Sequence, residues 1–567
     1  MGSGDLSKTH ASAALLGAMG DLLAAVRGAS LEYDTPSTVE AVTTRTEVAD
    51  QLSDYILPRL VQLDAPLLTV VGGSTGAGKS TLVNSIVGEA VTEAGILRPT
   101  TRSPVLVHHP ADAHWFGRDH LMPDLERVGD GSAFGLRLVS TDKIPQGLAV
   151  LDAPDVDSID QGNRDLATQL LAAADLWLFV TSAARYADQV PWDYLRRAGE
   201  RATSVAVVLD RTAPESIVEV RGHLARMMTS RGLSDSPLFT VVESDVDADG
   251  TLAAELVAPI RGWLHDLAAD PGARRLVVGR TLDGAVRHIV LRSHDIADAM
   301  DDQLEVADAL HVGVDAGYRD GLEQVATQSA DGTLMTGEVM ARWQEFVAVG
   351  DLAKSIEKPS GGLRARFASS VSGRGARGSD VISAVDTALA SLLVDRADAA
   401  AERTTASWAE LPSGRVRMEN LLGGDRASAD LRKQADTVID AWRSTLVERA
   451  RAALPDDSTT TIDDGITAAL LTEVLVLASA DMDRLSAVGR GVLNALFGAE
   501  QVSTMVKQAH DDFVNQATAL FEGEQKRFVD LFMGPDVVRG SQTALREAAR
   551  SAESARHVDF LNGQITT

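Results

Sequence analysis

The sequence predicts an α/β domain with a doubly wound, mainly parallel sheet, joined to a long α-helical bundle or stalk. Two changes in hydrophobic pattern carry this prediction. Between residues 66 and about 245, short apolar runs alternate with longer amphipathic stretches, whereas beyond about 250 apolar residues recur only at helical spacing. A chain of 567 residues is long enough for about two to four domains, so each part has room for its own core.

The alternating part of the chain predicts the sheet. Its apolar runs are short and bounded by Gly, Pro and Asp, a pattern typical of buried strands. Because strands that alternate with helices form parallel βαβ units, we expect one doubly wound sheet. The predicted strands are Leu67–Val71, Pro104–His108, Leu148–Leu151, Leu176–Val180, Val205–Leu209 and Leu238–Val242.

Helices are predicted on both sides of this part in the sequence. Residues 5 to 62 are expected to form two helices, with a Ser/Thr/Pro-containing loop between them and Pro58 near the end of the second. In the C-terminal half, two apolar stripes at helical spacing predict long helices that pack on each other. The stripes are Leu282, Val286, Ile289, Ile296, Met300 and Ala307, and Val502, Met505, Ala509, Phe513, Ala517 and Leu520.

Composition and charge exclude several classes of function. A net charge of −28 repels nucleic acid and anionic lipid unless a local basic patch makes the contact, so no nucleic-acid partner is expected. The absence of cysteine excludes disulfides, thiolate metal sites and thiol catalysis, and suits a reducing cytoplasm. The N-terminus lacks a secretory pattern, and the longest apolar run, Ile466–Ala480, is interrupted by Glu473. We therefore expect a cytoplasmic protein, soluble or peripheral on the inner face of the cell membrane.

The segment from Gly73 to Ser80 has the sequence GSTGAGKS and fits the phosphate-binding-loop pattern G-x-x-x-x-G-K-[ST]. It follows the predicted strand Leu67–Val71 and opens a predicted helix, Thr81–Val87, which is the context that the motif requires. Its glycines let backbone N–H groups turn toward phosphate oxygens, so Lys79 is expected between the terminal phosphates and Ser80 on Mg²⁺. The residues predicted to bind nucleotide here are Gly73, Ser74, Thr75, Gly76, Ala77, Gly78, Lys79, Ser80 and Thr81.

Two further positions near this loop are candidates for metal contact. Asp152 ends an apolar strand, where an aspartate reaches Mg²⁺ through water; a strand-end Asp that caps a turn is the alternative. Thr100 and Thr101 precede another strand, where a threonine can coordinate Mg²⁺ and sense the terminal phosphate; a plain Ser/Thr turn is the alternative. The pattern does not choose between the two threonines. The predicted metal ligands are Ser80, Thr101 and Asp152, and the predicted catalytic residues are Lys79, Ser80, Thr100, Thr101 and Asp152.

Five motifs in a fixed order suggest a family: GKSTLVNSIVG from Gly78, RPTT from Arg98, LDAP from Leu151, VTSAARYADQVPW from Val180 and VVLDR from Val207. This order resembles that of translation-factor-class P-loop GTPases. With helices on both sides of the domain, the chain looks like the bacterial dynamin-like proteins, particularly those of actinobacteria. The resemblance implies GTP and GDP as ligands with Mg²⁺, self-association through the GTPase domain, and action at membranes.

The resemblance also implies a domain organisation. We predict N-terminal helices in residues 1–63 that join the helical bundle, a P-loop GTPase domain in 64–272, and the bundle or stalk, with a candidate membrane-contact tip, in 273–567. In such an arrangement the nucleotide state is coupled to self-association and to movement of the stalk. A paired dynamin-like protein is a candidate partner.

Departures from the family motifs bear on activity. Asp155 stands where the D-x-x-G motif has a glycine whose N–H contacts the terminal phosphate, and a carboxylate near that phosphate would repel it. The next residue is Val156, not a water-orienting glutamine, which dynamin-like proteins also lack. Arginines expected near the site are candidates for stabilising transition-state charge, with ordinary surface positions as the alternative. They are Arg98, Arg102 and Arg185.

The guanine-reading motif N/T-K-x-D is replaced by the segment Asp210-Arg211-Thr212-Ala213. Asp210 and Arg211 are predicted to contact the nucleotide, but alanine stands where the family has the aspartate that pairs with guanine. Asp210 or Asp245 is a candidate substitute for that aspartate.

Two segments are candidates for membrane contact. Residues 358–379 carry five basic side chains and no acidic one, so they can touch an anionic membrane; a solvated loop between helices is the alternative. Ile466–Ala480 and Val488–Phe497 can form an apolar hairpin tip, with buried bundle helices as the simpler alternative. Two other functions stay open: a nucleotide-binding interaction protein with slow or degenerate hydrolysis, and an Era-like ribosome-associated GTPase, against which the net charge counts.

Overall fold

A computed structural model describes residues 13–92, 104–117, 125–128, 135–158, 161–200, 203–247, 249–347, 375–419, 426–454, 460–479 and 483–561. The chain forms two compact units. The first contains the described residues up to Leu31, Thr35–Asp302, and those from Arg539 onward; the second contains Glu32–Asp34 and Gln303–Val538. The two units are defined by compactness alone and do not test the predicted domains 1–63, 64–272 and 273–567, which stay predictions.

The first unit is built around one sheet. In its described residues the strands are β1 Leu67–Gly73, β2 Val105–His108, β3 Arg127–Val128, β4 Leu136–Ser140, β5 Leu148–Asp152, β6 Leu176–Ser182, β7 Ser204–Thr212 and β8 Leu238–Val242. Their order is β3-β4-β2-β5-β1-β6-β7-β8, and every neighbouring pair is parallel except β2 with β5. Strands are added on both sides of β1, which makes the sheet doubly wound and confirms the predicted fold class.

All six predicted strands are present. Five of them are buried along most of their length, whereas β8 is mostly half-buried. Two strands were missed. β3 has only two residues, and β4 is mostly half-buried and carries polar side chains, so neither produces an apolar run. β3 is the edge strand on this side of the sheet, and β4 lies between β3 and β2.

Helices precede this sheet in the sequence, alternate with its strands and follow β8. In the first unit they are α1 Ala13–Arg27, α2 Thr38–Gln51, α3 Leu57–Val61, α4 Lys79–Val87, α5 Gln161–Ala172, α6 Gln189–Glu200, α7 Ile217–Ser230 and α8 Ala254–Ala269. A π-helical turn, Leu52–Ile56, joins α2 to α3, and Pro110–Phe116 is a 3-10 helix. The 58-residue helix α9, Pro271–Gln328, contributes to both units, and all six members of its predicted apolar stripe are buried.

The N-terminal helices are anchored to the sheet by a buried ion pair. Arg59 at the end of α3 contacts both carboxylate oxygens of Asp175 at 3.0 Å, and both side chains are fully buried. Asp175 directly precedes β6 and also accepts hydrogen bonds from the Tyr55 hydroxyl and the Leu68 backbone N–H. One carboxylate therefore ties α3 to β1 and to the start of β6.

The second unit is helical in its described residues. Besides α9 it contains α10 Gly337–Val347, α11 Gly375–Ala409, α12 Pro412–Glu419, α13 Leu431–Ala452, α14 Asp464–Leu475, α15 Asp483–Phe497 and α16 Ala499–Val529; α17 Pro535–Arg556 follows, and a π-helical turn, His557–Leu561, ends the described chain. The predicted stripe on α16 is buried throughout. Every residue of α14 from Gly465 to Leu475 is also buried, which favours a bundle helix over a hairpin tip for this segment.

None of the helices in the described part of the chain combines the length and the apolar character that crossing a bilayer requires. Most of the basic segment 358–379 lies outside the described residues. Its last arginine, Arg377, is exposed near the start of α11.

Candidate nucleotide-binding site

The predicted phosphate loop lies between β1 and α4, at the carboxyl end of the parallel strands. Gly73 ends β1 with φ +152°, and a Cβ there would lie 2.0 Å from the Val180 carbonyl oxygen of β6. Gly78 has φ +99° directly before α4, and its own Cβ would lie 2.2 Å from Asp210 Oδ2. Both positions therefore require glycine. The first N–H groups of α4 have no acceptor in a preceding turn and supply the donors of an anion-binding helix terminus.

Lys79 is buried at the start of α4, and its ammonium group turns back over the loop. Nζ donates hydrogen bonds to the carbonyl oxygens of Gly73 and Ser74, each at 3.2 Å. It also forms an ion pair with Asp155. The ammonium thus lies in the concave face of the loop, where a lysine of this motif reaches the β- and γ-phosphates.

Ser80 and Asp152 are adjacent, as the motif prediction requires for a shared metal. The Ser80 hydroxyl donates to Asp152 Oδ2 at 2.7 Å, because register pairing of β1 with β5 aligns Asp152 with Val71, close to the loop. Burial raises the pKa of Asp152, although the Ser80 hydroxyl and the Lys79 ammonium lower it. Its Oδ1 atom is buried and accepts no hydrogen bond from the described residues. A hydroxyl and a carboxylate with an unused oxygen fit Mg²⁺, which prefers oxygen ligands and keeps several waters.

A further carboxylate, that of Asp157, was missed by sequence reasoning and also contacts the loop. Asp157 Oδ1 accepts hydrogen bonds from the Thr75 backbone N–H at 2.6 Å and from the Thr75 hydroxyl at 2.7 Å. Its other oxygen is paired with Arg185 at 2.6 Å. Of the three arginines proposed for the site, Arg185 is therefore placed beside the loop through Asp157. The only sequence signal for Asp157 was an acidic residue two positions after Asp155.

The segment that replaces the guanine-reading motif leaves β7 through a bulge. The register between β7 and β8 shifts between Leu209 and Thr212, and Arg211 has φ +49°, in the left-handed region. Asp210 is buried with its carboxylate against Gly78, and burial raises its pKa to about 6, although the Arg211 N–H and guanidinium lower it. Asp210 is thus turned toward the phosphate loop. Asp245 is exposed in the segment after β8.

The remaining predicted residues are placed as follows. Ser74, Gly76 and Ala77 lie in the loop, with Ala77 N–H bonded to the Ser74 carbonyl at 3.1 Å, and Thr81 lies in the first turn of α4. The predicted switch residues Thr100 and Thr101, with Arg98 and Arg102, lie outside the described residues. The structure thus brings Lys79, Ser80, Asp152 and Asp210 together at one end of the sheet.

The chain is similar in sequence to a plant protein. No protein-family model matches the chain. A probable transmembrane GTPase of Arabidopsis thaliana, FZO-like and chloroplastic, is 22% identical over 245 residues. The match covers 42% of this chain and 25% of that protein, so the chain spans about a quarter of the length of this relative.

Among solved structures, the chain is similar to an oligomerised bacterial dynamin pair described as a mechanism for long-range sensing and tethering of membranes. The identity is 11%, the coverage is 98% of this chain and 82% of that one, and the TM-score is 0.30. Era from Aquifex aeolicus bound to GDP·AlF4⁻ is 17% identical over 35% of this chain and 56% of its own, with a TM-score of 0.23. Toc33 from Arabidopsis thaliana with Mg²⁺ and GMPPNP is 14% identical over 44% and 96%, also with a TM-score of 0.23. These scores are low, so the likenesses carry no further argument.

Proposed function

We propose that the chain is a dynamin-like GTPase that binds GTP and GDP with Mg²⁺ and hydrolyses GTP. The observation that carries this proposal is the convergence of Lys79, Ser80 and Asp152 at the N-terminus of α4. Lys79 supplies the cation that meets the terminal phosphates, while Ser80 and Asp152 supply oxygens for the metal. Bound Mg²⁺ would neutralise charge on the phosphate oxygens.

The preference for guanine rests on the motif order and on the similarity to a probable GTPase. Ala213 supplies no carboxylate for the base, Asp210 is turned to the phosphate loop, and Asp245 is exposed near the carboxyl end of β8. Of the two aspartates, Asp210 lies against Gly78 of the phosphate loop, whereas Asp245 is exposed outside the loop. We assign the base contact to the region of Arg211 and Asp245 on this ground.

We further propose that nucleotide-driven self-association through the GTPase domain 64–272 moves the helical stalk, with the protein acting at the cytoplasmic face of the membrane. The support is the order of motifs and the long helices with buried stripes that follow the sheet. The contact with anionic lipid is assigned to the basic segment 358–379, on its local charge alone.

Two observations favour a second candidate function, a nucleotide-binding interaction protein with very slow hydrolysis that works with a paired dynamin-like partner. The Lys79 ammonium is paired with the Asp155 carboxylate, and Val156 is a buried apolar residue that cannot orient water. Both features weaken hydrolysis without excluding nucleotide binding, because the loop, Ser80 and Asp152 are intact.

Nucleotide binding tests the shared part of these proposals. We expect wild-type protein to bind a fluorescent GDP with Mg²⁺, and Lys79→Ala to lose binding by at least about tenfold, since a charged hydrogen bond to phosphate is worth at least about 1.4 kcal/mol. Lys143→Ala is the matched control, because this exposed lysine lies in the turn before β5, at the opposite end of that strand from Asp152. Full affinity in Lys79→Ala, with the fold retained, would remove the site assignment.

A further inference from the structure

The segment after β5 places two carboxylates on the phosphate loop. Asp155 pairs with the Lys79 ammonium, and Asp157 accepts from both the backbone N–H and the hydroxyl of Thr75. These donors belong to the loop residues that a phosphate-binding loop presents to nucleotide. The two carboxylates therefore use groups that the terminal phosphate of a bound nucleotide would also use.

The segment is held in this position from several sides. The Val156 N–H donates to the Gly73 carbonyl at 3.3 Å, and the Val156 side chain is fully buried between the two acidic residues. Arg185 holds the outer oxygen of Asp157 at 2.6 Å. The backbone, a buried apolar side chain and a guanidinium all make these contacts. The segment that carries the two carboxylates is therefore fixed against the phosphate loop.

Burial makes competition with phosphate strong. The Lys79 side chain is only 4% exposed and Asp155 is 22% exposed, so little water screens a second anion brought to the same ammonium. A diphosphate can share Lys79 with Asp155 by replacing one of the two carbonyl contacts of the ammonium, which has three donors. A triphosphate adds one more phosphate group and more negative charge, and the Asp155 carboxylate opposes it.

We propose that Asp155 and Asp157 are specificity-determining residues that compete with the terminal phosphate, so that the site favours a nucleoside diphosphate and admits the triphosphate only when the segment Asp155–Asp157 is displaced. This inference rests on the proposed nucleotide-binding function. Asp155, which departs from the D-x-x-G motif, would thus help to discriminate between the diphosphate and the triphosphate. Displacement of Asp157 also separates it from Arg185, which links the nucleotide state to the loop after β6.

The test is the ratio of dissociation constants for GMPPNP and GDP, measured by titration calorimetry with Mg²⁺. Wild-type protein is expected to bind GDP at least about tenfold more tightly, which corresponds to about 1.4 kcal/mol. Asp155→Asn removes the charge and keeps the shape, so it should reduce the ratio by about tenfold, mainly by tightening GMPPNP. Asp157→Asn should act in the same direction. Asp155→Glu keeps a carboxylate and should retain a wild-type preference for GDP.

Asp235→Asn is the matched control, since it removes the same charge from an exposed position before β8, at the opposite end of the parallel strands. Thermal unfolding of each variant confirms that it is folded. If GDP binds and both Asn variants keep the wild-type ratio, the inference is wrong while the proposed function stands. An Asp155→Glu ratio equal to that of Asp155→Asn would also overturn it, because charge would not be the cause. If neither nucleotide binds to any of these proteins, the proposed function fails and the inference fails with it.

Discussion

At the scale of single residues, Asp210 is a buried carboxylate whose ionisation the fold opposes. Burial is the largest cause of its raised pKa, about 6, and the nearby Glu243 acts in the same direction. Because the folded pKa lies above the unfolded value, the folded state binds more protons, and the stability from this group is present at low pH. That stability is lost as the pH rises through about 6.

We therefore expect Asp210→Asn to gain stability relative to wild type between pH 5 and pH 8. The difference in the free energy of unfolding should shift by about 1 kcal/mol in favour of the variant over this range. Urea denaturation of the nucleotide-free proteins at the two pH values measures it. A difference that does not change with pH would mean that Asp210 is not the titrating group.

For residues that belong to a known motif, the sequence predicted which side chains would lie close together. The GKS spacing and the strand before Asp152 predicted that Lys79, Ser80 and Asp152 would be close, and they are placed together. The departure at Asp155 was visible, but its ion pair with Lys79 was not, because residue spacing does not determine how a loop returns to its neighbour. The same reason explains why Asp157 was missed.

At the scale of elements, the most informative contact is the anchor between α3 and the start of β6. Arg59 and Asp175 are fully buried, and Asp175 also holds the Leu68 N–H at 2.8 Å. Breaking a buried pair by removing one partner leaves an uncompensated charge, which costs about 3 to 5 kcal/mol. Removal of Arg59 would therefore leave the Asp175 carboxylate buried without its cation.

Arg59→Ala is expected to lower the free energy of unfolding of the first unit by about 3 to 5 kcal/mol, for this reason. Arg546→Ala is the control. It removes an arginine of the same unit whose pairs with Asp298 and Asp301 are exposed, so we expect a loss of less than about 1 kcal/mol. Equal losses in the two variants, measured by urea denaturation, would contradict the assigned role of the anchor.

Elements with an apolar run or an apolar stripe were predictable, and elements without one were not. The strands β1, β5, β6 and β7 are buried along most of their length, and the stripes on α9 and α16 fall on buried faces. By contrast, β4 carries Arg137 and Ser140, and it is stabilised by pairing with β2 rather than by an apolar run of its own. The Arg59–Asp175 anchor joins residues 116 positions apart, a separation that no local pattern reveals.

At the scale of the whole molecule, the net charge of −28 repels an anionic membrane, so any contact with lipid requires a local basic segment. The basic segment 358–379 is the place where the sequence reverses that charge, so replacement of its charges tests the lipid contact. We expect replacement of its five basic residues by Glu to abolish pelleting with anionic liposomes, because each basic residue near such a surface contributes about 1 kcal/mol.

Pelleting is measured at low and high salt, since contact through charge weakens as salt screens it. The control makes the same change of charge at exposed helical positions outside the segment, by replacing Arg319, Arg415, Lys433, Arg451 and Lys507 with Glu. Unchanged pelleting after replacement of the segment would reject 358–379 as the contact.

We propose that the loop around Lys79, with Ser80 and Asp152, binds and hydrolyses guanine nucleotide with Mg²⁺. The most direct measurement compares hydrolysis of GTP and ATP over a series of protein concentrations, with Mg²⁺ and with EDTA. We expect GTP to be turned over faster than ATP in a reaction that requires Mg²⁺. The specific rate should rise with protein concentration as GTPase domains associate. Equal turnover of both nucleotides, or turnover that persists in EDTA, would contradict it.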